Sequence, residues 1–192
     1  MFPQAMNFVS LDLETANYSR LSICATGLAV FENGVLAESL YWLVKPPKGH
    51  GWFREDFIEC HGLTHLNVQD APEFPAFAPE LLGRLNRADF VVAHNAGFDI
   101  GHLRETLDHF ELVRPRFDYL CTCKLARRVW PELPNHKLDT LAAHIGLEFS
   151  HHHAQDDAEA AGRVLLAMMK QANVNTLREL LCAVDTITTS FC

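Results

Sequence analysis

From Phe8 to Thr15 the chain reads Phe-Val-Ser-Leu-Asp-Leu-Glu-Thr, and its two-residue period is that of a β-strand. Val9, Leu11 and Leu13 share one face, while Phe8, Ser10, Asp12 and Glu14 share the other. A strand with so apolar a start belongs within a sheet, yet Asp12 and Glu14 project from the same side, close enough to repel strongly. Two solvated carboxylates on an edge strand are the plainer alternative, which suits either acid alone better than both together. A hard divalent cation such as Mg²⁺ or Mn²⁺ takes oxygen ligands, often with a substrate phosphate, and would relieve the repulsion.

The following segments supply the rest of a sheet. Leu21 to Phe31 and Val35 to Val44 are apolar-rich runs joined by Glu32-Asn33-Gly34, and Asn-Gly between such runs predicts an antiparallel hairpin. Lys45 to Gly51, with two prolines and two glycines, reads as a loop. Phe77, Leu81, Leu82 and Leu85 fall at helical spacing within Pro75 to Leu85. Asp89 to Ala93 is a short buried strand, and the next helix, through Phe110, buries Leu103, Leu107 and Phe110. Phe117 to Leu120 reads as a last strand, followed by helices over Thr122 to Val129, Leu138 to Ile145 and Ala154 to Lys170. A short helix over Leu177 to Val184 and a frayed tail end the chain. This order is that of an α/β protein with a mixed sheet.

The 192 residues suffice for one domain with a real core. Residues 1–172 are expected to be its catalytic part, and 173–192 a short helix and tail of the same domain. A hydrophobic share of 48% and a charged share of 21% are ordinary for a soluble globular protein. No apolar run has the length of a membrane span and no leader pattern is present, so a cytoplasmic protein without a membrane partner is expected. Cys24, Cys60, Cys121, Cys123, Cys182 and Cys192 form no Cys-x-x-Cys pair and are expected to be reduced thiols. The formal charge of -8 disfavours an extensive phosphate-binding surface. Acids gathered around cations would account for part of it, and the ions would reverse the local field.

Two more acids qualify as ligands. Asp99 lies at a strand-to-helix junction, where a first-turn carboxylate is favourable to the helix dipole without any metal. Carboxyl ends of strands are also where α/β sheets bind ligands. In His151-His152-His153-Ala154-Gln155-Asp156-Asp157, helix geometry separates the aspartates. Asp157 shares the inward face of Ala161, Val164, Leu165 and Met168, whereas Asp156 aligns with Ala160, Arg163 and Ala167 and should look outward. A carboxylate ending a buried stripe needs a partner, and metal is the natural one. The three histidines lack zinc-finger spacing, and neighbouring side chains in an extended segment should diverge, which disfavours zinc. One of them, just ahead of the helix, is a candidate general base.

Asp12-Leu13-Glu14-Thr15, His94-Asn95-Ala96-Gly97-Phe98-Asp99 and His152-His153-Ala154-Gln155-Asp156-Asp157 together resemble the DEDD exonucleases, in the subfamily with a histidine in the last motif. That group includes the proofreading subunit of bacterial DNA polymerase III and ribonuclease T. Cys60-His61-Gly62-Leu63-Thr64 and His136-Lys137-Leu138-Asp139-Thr140-Leu141 look like two further family segments, and the resemblance covers roughly residues 7 to 170. It implies a ribonuclease H-like exonuclease fold with a five-stranded mixed sheet. It also implies two Mg²⁺ or Mn²⁺ ions held by Asp12, Glu14, Asp99 and Asp157, with His152 as the catalytic base. Cys121-Thr122, where many relatives have Asp-Thr, departs from the pattern at a position that supplies no ligand.

The implied reaction is in-line hydrolysis of a phosphodiester from a 3′ end, with the ions about 3.5–4 Å apart and nucleoside 5′-monophosphates as products. DNA is the expected substrate; an exoribonuclease and a nucleic-acid-binding module that has lost its chemistry are the alternatives. A DNA polymerase subunit is a conceivable partner. Thr15, Ala16, His61 and Leu63 are expected to border the terminal nucleotide. Phe98 is a candidate for stacking on a base, with core packing as its competing role. Lys124, Arg127 and Arg128 share a helix side, as a phosphate track or a solvated face.

Overall fold

In the computed structural model, which describes residues 6–191, the alternating octapeptide is strand β1 (Phe8–Thr15). It lies inside a sheet. The hairpin of β2 (Ile23–Glu32) and β3 (Val35–Leu43) adds antiparallel strands on one side, turning at Asn33 and Gly34 with φ of 51° and 72°. On the other side β4 (Phe90–Ala93) pairs parallel to β1, and β5 (Phe117–Cys121) parallel to β4. A sixth strand, β6 (Thr189–Phe191), pairs antiparallel with β5. The sheet order is β3-β2-β1-β4-β5-β6, one strand more than expected.

The extra strand replaces part of the expected frayed tail. Three residues are too few to show a two-residue period; what anchors them is Phe191, buried and stacked on Phe117 with ring centroids 4.8 Å apart. Helices α1 (Glu55–His61) and α2 (His65–Val68) were also unexpected. Helix α1 buries no residue, so it has no apolar stripe to betray it. Helix α3 (Ala78–Arg87) follows a 3₁₀ turn at Phe74–Ala76. Helices α4 (Gly97–His109), α5 (Thr122–Val129), α6 (Leu138–His144), α7 (Ala154–Gln171) and α8 (Leu177–Ala183) fall within a residue or two of their expected bounds. No helix among the described residues is long and apolar enough to cross a membrane.

The two faces of β1 bury different partners. Val9, Leu11 and Leu13 pack with residues of α3 and α4, including Leu81, Leu85, Leu103 and Leu107. Phe8, in a stack with Phe31 and Phe90, faces the cluster built on α7. Two glycines seat α7 on the sheet. A Cβ on Gly27 would collide with the Ala154 backbone, and one on Gly162 with the Phe31 ring. The first turn of α7 therefore lies directly over Gly27, which is paired with Asp12.

Candidate active site

The β1–β2 pairing shifts register between Glu14 and Thr15, an irregularity of the ladder beside the acids. Asp157, in the first turn of α7, is brought onto β1 by the seat at Gly27. Carboxylate oxygens of Asp12, Glu14 and Asp157 lie within 4.8 Å of one another. Asp99, 1% exposed, comes from the first turn of α4, where its Oδ1 accepts a hydrogen bond from the Leu13 backbone at 3.0 Å. It stands beside the tight trio rather than within it. All four border or line a cleft of about 640 Å³.

Burial and mutual repulsion raise the proton affinity of all four. Burial, then Asp99, Asp157 and Glu14, push the Asp12 carboxyl well above its usual range. Glu14 is pushed up to about 8 by burial and then by Asp157 and Asp99. Burial also takes Asp99 to about 8, against the opposing effect of backbone N–H groups. Asp157 is raised by burial and partly relieved by His151. Among the described residues no lysine or arginine forms an ion pair with any of them. Convergent carboxylates left without a protein cation are a donor set that fits hard divalent metal ions.

The histidine run is not splayed as expected. His152 has φ of 65°, and this left-handed residue lets the His151 and His152 rings stack at 3.8 Å instead of diverging. His151 Nδ1–H donates to Asp157 Oδ1 at 2.8 Å, and the His152 backbone N–H donates to Oδ2 at 2.9 Å. The His152 side chain thus stands beside the acids, and burial and His151 lower its proton affinity. The aspartates separate as expected, Asp157 being 4% exposed and Asp156 partly exposed beside His153. Ala160 is nevertheless buried, because α7 is covered on more than its sheet side by α5 and α6.

Thr15, Ala16, His61 and Leu63 meet next to the cleft, outside its lining. Leu63 N–H donates to His61 Nδ1 at 3.0 Å, leaving Nε2–H to donate to the Thr15 carbonyl at 3.1 Å. Leu63 packs on the cluster of Ala16, Cys24 and Val68. The Ala16 backbone N–H and carbonyl are bonded to Ser22 and Arg54. Phe98 is a half-exposed cleft wall, with its ring 4.3 Å from that of His102, rather than a core residue. The basic residues of α5 do not form a common track. Arg127 lines the cleft, Arg128 bonds the Val184 carbonyl and Lys124 borders a separate recess.

Sequence reasoning gave no site role to the Asn135–Asp139 segment, to His94 or to Cys123, all of which line the cleft. The resemblance in His136-Lys137-Leu138-Asp139 was the available signal. His94 is held by Thr122 Oγ1 at 2.9 Å, and burial lowers it to about 4, so it is a neutral wall residue at neutral pH.

The mixed sheet thus gathers two acids from β1 and one each from the first turns of α4 and α7 around one cleft. The chain belongs to the exonuclease family, whose model matches residues 9–165, and so is an enzyme that hydrolyses nucleic acid. DNA polymerase III PolC-type of Oceanobacillus iheyensis is 30% identical over 85% of this chain and 11% of its own length. The Halalkalibacterium halodurans counterpart is 32% identical over 86% and 11%. This chain therefore spans about one-ninth of these relatives. Among solved structures, Exonuclease X in complex with 5′ overhanging duplex DNA has a TM-score of 0.71 at 22% identity, covering 92% of this chain and 99% of that one. The nuclease domain of 3′hExo bound to rAMP has a TM-score of 0.74 at 13% identity, with both chains fully covered.

Proposed function

We propose that this chain is a divalent-metal-dependent 3′–5′ exonuclease that removes nucleoside 5′-monophosphates from DNA ends. The observation that carries the reading is the convergence of Asp12, Glu14 and Asp157 beside Asp99 and the histidine pair, at one end of an open cleft. Asp12, Glu14 and Asp157 are the ligands, and Asp99 completes the set directly or through water. Two Mg²⁺ or Mn²⁺ ions bound there would supply charge stabilisation to the attacking and leaving oxygens of a phosphodiester. His152 accepts the proton of the attacking water. Its lowered proton affinity keeps it neutral near pH 7, the state a base requires.

The residues around the cleft hold the end of the strand. Phe98 offers a ring face to a base. His61, bonded to the Thr15 carbonyl, and Leu63, bonded to His61 and packed on Ala16, border the terminal nucleotide from the adjoining patch. The 1–172 segment is taken as the catalytic part, with α8 and β6 completing the same domain. The names of the PolC-type relatives suggest work beside a polymerase.

The test is degradation of matched 5′-labelled single- and double-stranded DNA and RNA by the chain alone, with Mg²⁺ or EDTA. Metal-dependent shortening of DNA to successively smaller 5′-labelled products, with released nucleoside 5′-monophosphates, is the expected result. Preferential loss of RNA would move the substrate to the other sugar, and internal cuts or inertness toward every end would overturn the reading.

A further inference from the structure

We infer that Arg20 grips the phosphate next to the scissile one, where the strand leaves the cleft past Phe98; this rests on the nucleic-acid reading above.

Arg20 sits in the loop between β1 and β2, which is tied down throughout. The buried Asn17 donates through Nδ2 to the carbonyls of His50 and Trp52, at 2.9 and 2.6 Å, and accepts from Ser19 N–H at 2.8 Å. The Ser22 hydroxyl lies 2.8 Å from the Asn17 carbonyl and 2.7 Å from that of Ser19. Ala16 N–H closes the loop onto the Ser22 carbonyl at 2.8 Å. So braced, the loop presents two exposed side chains, Tyr18 and Arg20. Tyr18 is already engaged, with the Arg54 guanidinium over its ring at 4.5 Å.

The Arg20 guanidinium has a seat but no counter-charge. Its Nη1 stands 3.4 Å from the Phe98 carbonyl and 3.2 Å from His102 Nδ1, which itself lies 2.9 Å from that carbonyl and donates to it. Arg54, Arg84, Arg114 and Arg163 each have a carboxylate partner; Arg20, like several other arginines among the described residues, has none, but it alone lies against the start of α4 beside Phe98. The seat is Gly101, where a Cβ would come within 2.7 Å of Nη1. The glycine leaves room for the end of the Arg20 side chain to lie on α4 at this point.

The location decides what the guanidinium binds. It lies against the first two turns of α4, the positive end of the helix dipole, where a cation is disfavoured unless an anion joins it. Asp99, the acid of that turn, is buried and accepts from Leu13 instead. Exposed and seated beside the cleft wall with no acid on it, Arg20 offers its planar donors to an outside anion. A phosphodiester matches that fork. Arg20 stands outside the cleft lining but against the Phe98 backbone, and Phe98 is a wall of the cleft, so the guanidinium is placed to meet a neighbouring linkage and not the reacting one.

The experiment is fluorescence anisotropy of a single-stranded oligothymidylate labelled at its 5′ end, in EDTA, with wild type, Arg20→Ala and Arg20→Lys. Arg20→Ala is expected to bind roughly tenfold more weakly. Its plot of log affinity against log salt should be shallower by about 0.7, the value of one lost single-strand phosphate contact. Arg20→Lys should keep the slope and recover part of the affinity. Single methylphosphonates are then placed along the strand: wild type should lose affinity most at one linkage adjacent to the 3′-terminal one, and Arg20→Ala should be indifferent to that same linkage. Unchanged affinity and slope in Arg20→Ala, or equal sensitivity of both proteins at every linkage, overturns the inference. If wild type degrades DNA with Mg²⁺ while Arg20→Ala binds normally, only this inference fails; if wild type neither degrades nor binds any strand, the functional reading fails first.

Discussion

Asp12 is repelled by all three of its acidic neighbours, and each adds to the cost of its burial. Asp12→Asn keeps the shape and removes the charge. It is expected to lower nuclease turnover by roughly a thousandfold or more while the metal-free protein melts no lower than wild type. Substantial Mg²⁺-dependent cleavage by the purified variant would sink the assignment. The histidines make a finer comparison. General-base catalysis is worth roughly a hundred- to ten-thousandfold, so His152→Ala should lose that much in single-turnover cleavage at saturating Mn²⁺. His151→Ala and His153→Ala should lose far less. With wild type, activity should climb with pH through an ionisation below the ordinary histidine value and then level, since burial and His151 favour the neutral His152 ring. If His151→Ala were the dead variant instead, its 2.8 Å contact with Asp157 would mark it as the working histidine.

At the scale of elements, α7 is the part whose placement decides the site. Gly27 is the neighbour of Asp12 across the β1–β2 ladder and also the spot on which the first turn of α7 rests. Gly27→Val should push that turn away, costing about 1–3 kcal/mol of stability by overpacking and carrying Asp157 off the other acids. Thermal melts and cleavage assays should therefore fall together; a stable variant with full activity would show that the contact is dispensable. The strand of β1 and the register of α7 were legible because each has a clean period and an apolar face. Helix α1 and strand β6 were not: one buries nothing, and the other is held by the single buried side chain of Phe191. In the site, the meeting of Asp12, Glu14 and Asp157 was legible from strand and helix periods, and Asp99 was favoured as a ligand only by the motif resemblance, whereas the stacking of His151 on His152 depends on a positive φ that no neighbouring glycine announces. Arg20 and the wall at Asn135–Asp139 became visible only once loops distant in sequence met.

For the whole molecule, the acid cluster links stability to pH and to metal. Glu14 and Asp99 bind protons more tightly in the folded chain, both up to about 8, so the stability they contribute is fully present below about pH 4 and is lost as the pH rises to about 8. The metal-free protein should lose melting temperature across that window through these groups, and Mn²⁺ should restore it most at the upper end, where its ligands are free of protons. A Mn²⁺-induced shift that does not grow with pH would contradict this. The bond between Leu13 and Asp99 joins residues 86 positions apart, and the parallel pairing of β1 with β4 spans a similar distance. Folding must close that long loop before the pairing rewards it, which slows a chain of this kind. The cluster gathers acids from near residues 12, 99 and 157, so no early fragment can hold it. Stopped-flow refolding followed by tryptophan fluorescence, with Trp130 buried among the three tryptophans, should therefore keep step with the return of nuclease activity, without an active intermediate. A chain emerging from a ribosome would hold no assembled acid cluster until its last long helix had docked.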